Sequence, residues 1–384
     1  MSNFRIPLSD LDYGPEEEAA VLRVLRSKWL SMGAEVEAFE KKFAEFIGAK
    51  HAFAVSNGTA ALHLAYLCLG LGAGDEVIQP AINFVAAANM TVAVGSTPVF
   101  ADIVGIDEPT IDPEDLEGRI TSKTKAVVVM HYGGYLCRMA EIDAICKRQG
   151  LFLIEDACHA VGARYLDPQE RPPHGRMAGS IGDIACFSFF SNKNLPTGEG
   201  GMIVTNRDDL AERIRLLRSH GMTTLTWDRH RGHASSYDVV QHGYNYRFHE
   251  IGAALGQCQL SKLPRNNQRR GELVSAYRQH LRSLPGWTIP FGDFSGNSAY
   301  HLMVAVAPTE EARLQTVEKL TQNKIQTSLH YPFLPELSAF KSYPRKSLTR
   351  SVAFASRIIT LPLFPTLTLH DVEEICTLIG DAAR

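Results

Sequence analysis

The chain has 384 residues, 45% of them hydrophobic, which is enough to bury one large core or two moderate ones. Charged residues make up 21% of the sequence and the formal net charge is −3, which argues against a disordered chain and against a general nucleic-acid binder. The seven cysteines lack CxxC spacing, the amino terminus has no apolar leader, and no segment approaches the ~20 apolar residues of a membrane span. We expect a cytoplasmic protein with free thiols, no metal site and no membrane partner.

Two helices come first in the chain. Residues 15–27 begin with a proline followed by acids, and residues 34–47 stop at Gly48, a good helix cap. Short apolar strands then alternate with helices. The predicted strands are 51–55, 76–79, 98–101, 125–130, 151–155, 184–189 and 202–205, and the predicted helices are 59–70, 84–94, 138–149 and 208–218. This alternation predicts an α/β fold with a mostly parallel sheet between helices.

The pattern changes after about residue 220. Residues 222–243 are polar and aperiodic, which predicts a long loop. Further on, the sequence predicts helices at 249–262, 266–284, 310–323 and 370–382 and strands at 300–306 and 325–329. We therefore divide the chain into a large domain, 1–245, and a smaller carboxy-terminal α/β domain, 246–384.

Lys193 and Asp156 each follow a predicted buried strand. Ligands of such sheets collect beyond the carboxyl ends of the strands, so both side chains are expected at one site. A lysine and a carboxylate are what pyridoxal 5'-phosphate (PLP) requires, because the amine forms a Schiff base and the acid holds the pyridine nitrogen protonated. A solvated lysine at a strand end is the alternative for Lys193 alone.

Other residues nearby suit the remaining parts of PLP. Gly58 and Thr59 open a helix directly after a strand, where free N–H groups and the helix dipole favour a phosphate. Ser188 could add a hydroxyl to that phosphate, and Phe84 could stack on the ring. Each has a structural alternative: a helix cap for Gly58 and Thr59, a strand residue for Ser188 and a core side chain for Phe84.

His159 lies three residues after Asp156 and could reach the ring hydroxyl, or it could serve as a capping or core histidine. Glu155 is expected to face away from the site, because neighbouring residues on a strand point to opposite faces.

At this point the sequence resembles the DegT-type aminotransferases, which act on nucleotide-linked keto-sugars and belong to the PLP fold type I superfamily. The resemblance rests on these segments: KWLSMGAEVEAFEKKFAEFIG (28–48), SNGTAALHLA (56–65), IEDACHAVGA (154–163), FSFFSNKNLPTGEGGMIVTN (187–206), GYNYRFHEIGAALGQCQL (243–260), LHYPF (329–333) and LPLFPTLT (361–368).

The resemblance implies a fold type I homodimer with its active site at the subunit interface. It implies the Schiff-base role for Lys193 and the pyridinium role for Asp156. The other implied cofactor contacts are the ring stack of Phe84, the phosphate contacts of Gly58, Thr59 and Ser188, and a contact of Asn245 with the phosphate in the neighbouring subunit. His159 stands where many relatives carry glutamine, and Asn83 where threonine is common, so we assign Asn83 no role.

We therefore predict a PLP-dependent aminotransferase that moves an amino group from L-glutamate to a keto group of a nucleotide diphosphate-linked deoxysugar, in amino-sugar biosynthesis. Weaker candidates for substrate contact are Ser31, Met32, Trp227, Arg229, His230, Arg231 and the pair His330 and Tyr331. Three alternatives remain open: an aminotransferase for a cyclitol or another keto substrate, a PLP-dependent sugar dehydratase, and a regulatory binder without turnover. Lysine at 193 counts against the dehydratases of this family, which carry histidine there.

Overall fold

The computed structural model describes residues 4–166, 174–224, 227, 232, 236–294 and 296–382. Among the described residues, seven strands form one sheet in the order β1-β7-β6-β5-β4-β2-β3. The strands are β1 His51–Val55, β2 Glu76–Pro80, β3 Thr97–Ala101, β4 Thr124–Met130, β5 Phe152–Asp156, β6 Ile184–Ser188 and β7 Gly201–Thr205. Every predicted strand in this part of the chain is confirmed, with bounds that differ by one residue at most.

Strands β2 to β6 are parallel, and β7 runs antiparallel to both of its neighbours, β6 and β1. Helices cover both faces, which explains why the strands read as continuous apolar runs. In β4, Val127 belongs to the same buried cluster as Ile142 of the helix 139–149, while the next residue, Val128, belongs to the same buried cluster as Leu62 of the helix 58–68. The α/β fold with a mostly parallel sheet is as predicted.

The helices of this region also match the sequence pattern. Their bounds are α1 Pro15–Ser27, α2 Ala34–Ile47, α3 Gly58–Cys68, α4 Ala86–Ala93, α5 Pro113–Glu117, α6 Met139–Gln149 and α7 Asp208–Leu217. Gly48 ends α2 with a φ of +74°, a left-handed conformation that favours glycine. The sequence did not predict α5, because five residues are too few to show a helical period.

The carboxy-terminal part contains α8 Glu250–Leu281, β8 Met303–Val306, α9 Glu310–Gln322, α10 Thr349–Ala355, β9 Ile358–Leu361 and α11 Leu369–Ala382. Strands β8 and β9 pair in a two-stranded antiparallel sheet. The long helix α8 packs against α1, α2 and α11 and so joins the amino-terminal helices to the end of the chain.

Two predictions for this part were wrong, and two elements were not predicted. The helices predicted at 249–262 and 266–284 are one helix with Pro264 inside it. Proline removes one backbone hydrogen bond, but buried Leu263 and Leu273 anchor the helix on either side of it. The strand predicted at 325–329 makes only isolated bridges, from Ile325 to Ile6 and from Ser328 to Thr360. Strand β9 and helix α10 were not predicted.

The segment 222–243, predicted to be a loop, is described only at its two ends and at residues 227 and 232. Its ends meet, since Met222 bridges Val239 and the Thr223 amide donates to the Asp238 carbonyl at 2.9 Å. None of the described helices has the length and apolar character needed to cross a bilayer.

Candidate active site

A cavity of about 690 Å³ opens at the carboxyl ends of β4, β5 and β6. Met130 ends β4, Asp156 ends β5 and Ser188 ends β6, and all three line this cavity. The fold therefore brings together most of the residues that the sequence singled out. Those that line the cavity are Gly58, Thr59, Phe84, Asp156, His159, Ser188, Lys193, His330 and Tyr331.

Lys193 and Asp156 are a pair of titratable side chains that line the cavity. Asp156 is 4% exposed, and its Oδ1 accepts a hydrogen bond from the Cys158 amide at 3.2 Å. Burial raises the pKa of the Asp156 carboxyl, an effect that the hydrogen bonds from Cys158 oppose. Burial also lowers the pKa of the Lys193 amine, opposed by Cys158 and Asp156. Burial thus disfavours the charged form of both groups, and it biases the Lys193 amine toward its neutral, nucleophilic form.

The start of helix α3 forms a close-packed cradle on the β6 side of Asp156. Asn57 caps the helix by accepting from the Ala60 amide at 2.8 Å, and the first residues of a helix present N–H groups without intrahelical partners. A Cβ atom on Gly58 would lie 3.0 Å from the Ser188 Cβ and 3.2 Å from the Cys158 sulfur. A side chain at position 58 would press on Ser188 and Cys158, so glycine keeps the start of the helix open beside Ser188.

Phe84 lies on the turn between β2 and α4, and 52% of its surface is exposed. The alternative reading of this residue as a core phenylalanine is therefore wrong. Its ring centroid is 5.8 Å from that of Tyr331, so the two rings form an aromatic wall of the cavity. The preceding Asn83 is buried and holds the Phe84 amide through its Oδ1 at 2.7 Å. This turn can present a flat apolar surface to a ligand ring.

His159 is buried, and its Nε2 lies 2.8 Å from the Tyr331 hydroxyl. Burial lowers the pKa of His159 well below its usual range, and the Lys193 charge lowers it further. His330 also lines the cavity; burial, with the Lys193 charge, lowers its pKa to about 4. Both imidazoles are therefore neutral around pH 7, so they can act as hydrogen-bonding groups but not as cations.

Glu155 does not line the cavity, as the alternation of side chains along β5 predicts. Its carboxylate is buried and accepts hydrogen bonds from the amides of Gly179, Ile181 and Gly182 and from His131. These contacts tie the loop before β6 to the end of β5. Glu155 therefore supports the strand that carries Asp156 and takes no part in the cavity itself.

Four residues singled out from the sequence do not line the cavity: Ser31, Met32, Trp227 and Asn245. Asn245 is exposed and bridges Ser219, outside the cavity. Ser31 is exposed, Met32 is buried in the core, and the Trp227 ring packs 4.9 Å from the Trp29 ring. Arg229, His230 and Arg231 fall outside the described residues, so their proposed substrate contact stays a prediction.

The cavity also contains residues that sequence reasoning missed, among them Cys158, Asn192 and Tyr246. Cys158 lies two residues after Asp156, and Asn192 lies directly before Lys193. Their closeness to predicted site residues is the signal that could have identified them. Tyr246 is next to the predicted residue Asn245 in the sequence, and the bridge of Arg247 to Val55 holds this segment beside β1.

The residues of this cavity fit PLP. The buried carboxyl of Asp156, whose pKa burial raises, suits a protonated ring nitrogen, which would lower the carboxyl pKa again. The glycine cradle beside Ser188 suits the phosphate, the aromatic wall suits the ring, and the buried amine of Lys193 suits the aldehyde. Each of these parts of the cofactor has a matching group among the residues that line the cavity.

Comparison with known proteins identifies the family of the chain. The model of the DegT/DnrJ/EryC1/StrS aminotransferase family matches residues 12–380. The chain is 40% identical to the spore coat polysaccharide biosynthesis protein SpsC of Bacillus subtilis (strain 168), covering 100% of this chain and 98% of SpsC. It is similar to PseC of Helicobacter pylori, an aminotransferase involved in the biosynthesis of pseudoaminic acid, with a TM-score of 0.90, 31% identity and 99% and 98% coverage of the two chains. It is also similar to DesI, solved in the presence of its TDP-sugar product, with a TM-score of 0.85, 31% identity and coverage of 99% and 91%.

Proposed function

The chain belongs to the DegT/DnrJ/EryC1/StrS aminotransferase family and is an enzyme of the transaminase type, and on that premise we propose that it moves an amino group from L-glutamate to a keto group of a nucleotide diphosphate-linked deoxysugar. The observation that carries the proposal is the pairing of Lys193 and Asp156 on one cavity, beside a cradle for a phosphate. The sugar substrate is supported by the relatives, since PseC serves pseudoaminic acid biosynthesis and DesI was solved with a TDP-sugar.

We propose PLP as the cofactor. When bound, it supplies an electron sink for the electrons released at the substrate carbon. Lys193 would hold the cofactor through its amine and, once displaced by the incoming amino group, would move a proton at its Nζ atom. The Asp156 carboxylate would hold the proton on the ring nitrogen, and Phe84 would cover the ring face.

The phosphate of PLP would be held by Gly58, Thr59 and Ser188. We also propose that the protein works as a homodimer in which Asn245 reaches the phosphate bound to the partner subunit. Two observations support this: Asn245 is exposed in the single chain, and large side chains near the cavity, Phe190 and Tyr244, are 45% and 37% exposed. Exposed aromatic side chains of this kind are typical of interfaces.

The proposed reaction has two halves that can be tested separately. L-glutamate added to the PLP-loaded protein is expected to bleach its visible absorbance, and a nucleotide-linked keto-sugar is expected to restore it. Screening a panel of such sugars with mass detection of the amino product identifies the substrate. Recovery with a cyclitol ketone but with none of the sugars would contradict the sugar assignment, and no response to any amino donor would favour a ligand-binding protein.

The lowered pKa of Lys193 predicts how cofactor attachment depends on pH. Only the neutral amine attacks the aldehyde, and its fraction falls about tenfold for each pH unit below its pKa. Because burial lowers this pKa from its ordinary value of 10.5, the rate of PLP attachment to the apoprotein should reach its plateau at lower pH than for free lysine. Stopped-flow absorbance measures this rate, with N-α-acetyl-lysine in the same buffers as the reference. A midpoint equal to or above that of the reference would contradict the prediction.

A further inference from the structure

The strand order separates two groups of residues around Asp156. Strand β6 lies on one side of β5 and carries Ser188 at its end, next to the Gly58 cradle. Strand β4 lies on the other side, and the chain leaving it forms a short 3-10 turn over Tyr132–Gly134. The backbone amide of Gly133 in this turn meets the side chain of His159. The phosphate cradle and this second group therefore lie on opposite sides of Asp156.

The hydrogen bonds of His159 determine which of its ring nitrogens carries the proton. The Gly133 amide donates to Nδ1 at 3.4 Å, so Nδ1 is the acceptor. A neutral imidazole with an accepting Nδ1 carries its hydrogen on Nε2, which lies 2.8 Å from the Tyr331 hydroxyl. His159 therefore donates and the Tyr331 oxygen accepts. The hydroxyl hydrogen of Tyr331 remains available for another acceptor.

Burial keeps both members of this pair neutral. It lowers the pKa of His159 and raises the pKa of the Tyr331 hydroxyl well above its ordinary value of 10.0. A tyrosine that stays protonated is a donor over the whole working range of pH. The remaining hydrogen of Tyr331 is thus a permanent donor on the cavity wall, because Tyr331 lines the cavity and is 8% exposed.

A buried network fixes the orientation of His159. Its ring centroid is 4.3 Å from that of His301, whose Nδ1 lies 3.0 Å from the Asn194 side-chain oxygen. Asn194 donates in turn to the Asn267 side-chain oxygen at 2.8 Å and to the Ala299 carbonyl at 2.6 Å. All of these side chains are buried, so His159 cannot turn its Nε2 away from Tyr331 without breaking hydrogen bonds or contacts.

The connectivity of PLP decides which of its atoms meets this donor. The phosphate arm, the aldehyde and the ring hydroxyl sit on three successive ring carbons. With the phosphate in the Gly58 cradle and the aldehyde at Lys193, the hydroxyl oxygen falls on the β4 side of Asp156. We propose that Tyr331, aligned by His159, donates a hydrogen bond to the ring hydroxyl oxygen of PLP. This inference rests on the proposed function. It assigns to Tyr331 the contact with the ring hydroxyl that the sequence analysis expected of His159.

The experiment is a pH titration of the visible absorbance of the PLP-loaded protein. A donor to the ring oxygen stabilises its ionised form, so removing the donor should make deprotonation of the bound chromophore harder. Tyr331→Phe is therefore expected to move the titration midpoint upward by about one pH unit or more. His159→Leu should produce a shift of the same sign, and His159→Gln, whose amide can still donate to Tyr331, should move it less. Tyr277→Phe is the matched control, since it removes a buried hydroxyl that donates to the Pro362 carbonyl far from the cavity.

The outcomes separate this inference from the proposed function. An unchanged midpoint in Tyr331→Phe together with a shifted midpoint in His159→Leu would mean that His159 contacts the ring directly, and the inference fails. A Tyr331→Phe variant that changes only the KM for the keto-sugar also overturns it, because Tyr331 would then face the substrate. If the unmutated protein shows no visible band with PLP, the proposed function fails and the inference with it. Circular dichroism checks that each variant is folded.

Discussion

Replacing Lys193 with alanine is expected to abolish covalent binding of PLP and to lower turnover by at least about 1000-fold. Lys193 lines the cavity together with Asp156 and Cys158, and its primary amine can condense with an aldehyde to form a Schiff base. Truncating a partly buried side chain at a cavity leaves the core intact, so the fold should survive. Borohydride reduction followed by digestion and mass spectrometry measures attachment directly.

The matched control for this variant is Lys123→Ala, since Lys123 is exposed at the start of β4, outside the cavity. It should retain PLP and full turnover. A reduced, PLP-labelled peptide that spans residue 193 is expected from the unmutated protein. Labelling at a different lysine, or full activity of Lys193→Ala, would show that the lysine assignment is wrong.

Replacing Asp156 with alanine is expected to slow proton abstraction from L-glutamate by about 100-fold or more. The carboxylate would stabilise the positive charge on the ring nitrogen of bound PLP, and its burial would strengthen that interaction because little water screens it. Without it, the ring draws electrons from the substrate carbon less effectively. Exchange of the glutamate α-proton with deuterated solvent, followed by NMR, reports this step apart from product release.

Asp156→Asn separates charge from shape. The amide has nearly the same size but cannot neutralise a ring cation, so this variant should be impaired about as severely as Asp156→Ala. Asp156→Glu retains the charge and should keep more of the rate. Near-normal exchange in both the alanine and the asparagine variants would rule out the charge as the source of the effect.

The sheet was predictable because its strands are buried on both faces. Residues such as Val127 and Val128 contact helices on opposite sides, so β4 reads as one apolar run with clear ends. The helix break predicted between residues 262 and 266 was wrong for a complementary reason. Tertiary burial of Leu263 and Leu273 outweighs the loss of one backbone hydrogen bond, and a local pattern does not report that packing.

The same distinction between local sequence pattern and tertiary packing applies to the residues of the site. Asp156, Ser188 and Lys193 could be found from the sequence because the carboxyl ends of parallel strands meet at one edge. The partner of His159 could not be found in this way, since Tyr331 lies 172 residues away and reaches the cavity only through the folding of the carboxy-terminal part. Nor did the sequence distinguish a core position for Phe84 from the exposed position that it occupies on the cavity wall.

By itself, the sequence determined the sheet, the edge at which the cavity lies and the chemistry of the lysine and carboxylate, because these follow from short-range patterns of burial and strand order. The tertiary structure decided how the side chains share their hydrogen bonds: which nitrogen of His159 carries the proton, and that Tyr331 keeps a donor for the cavity. The physical reason is that hydrogen bonding acts over about 3 Å between atoms, whatever their separation along the chain.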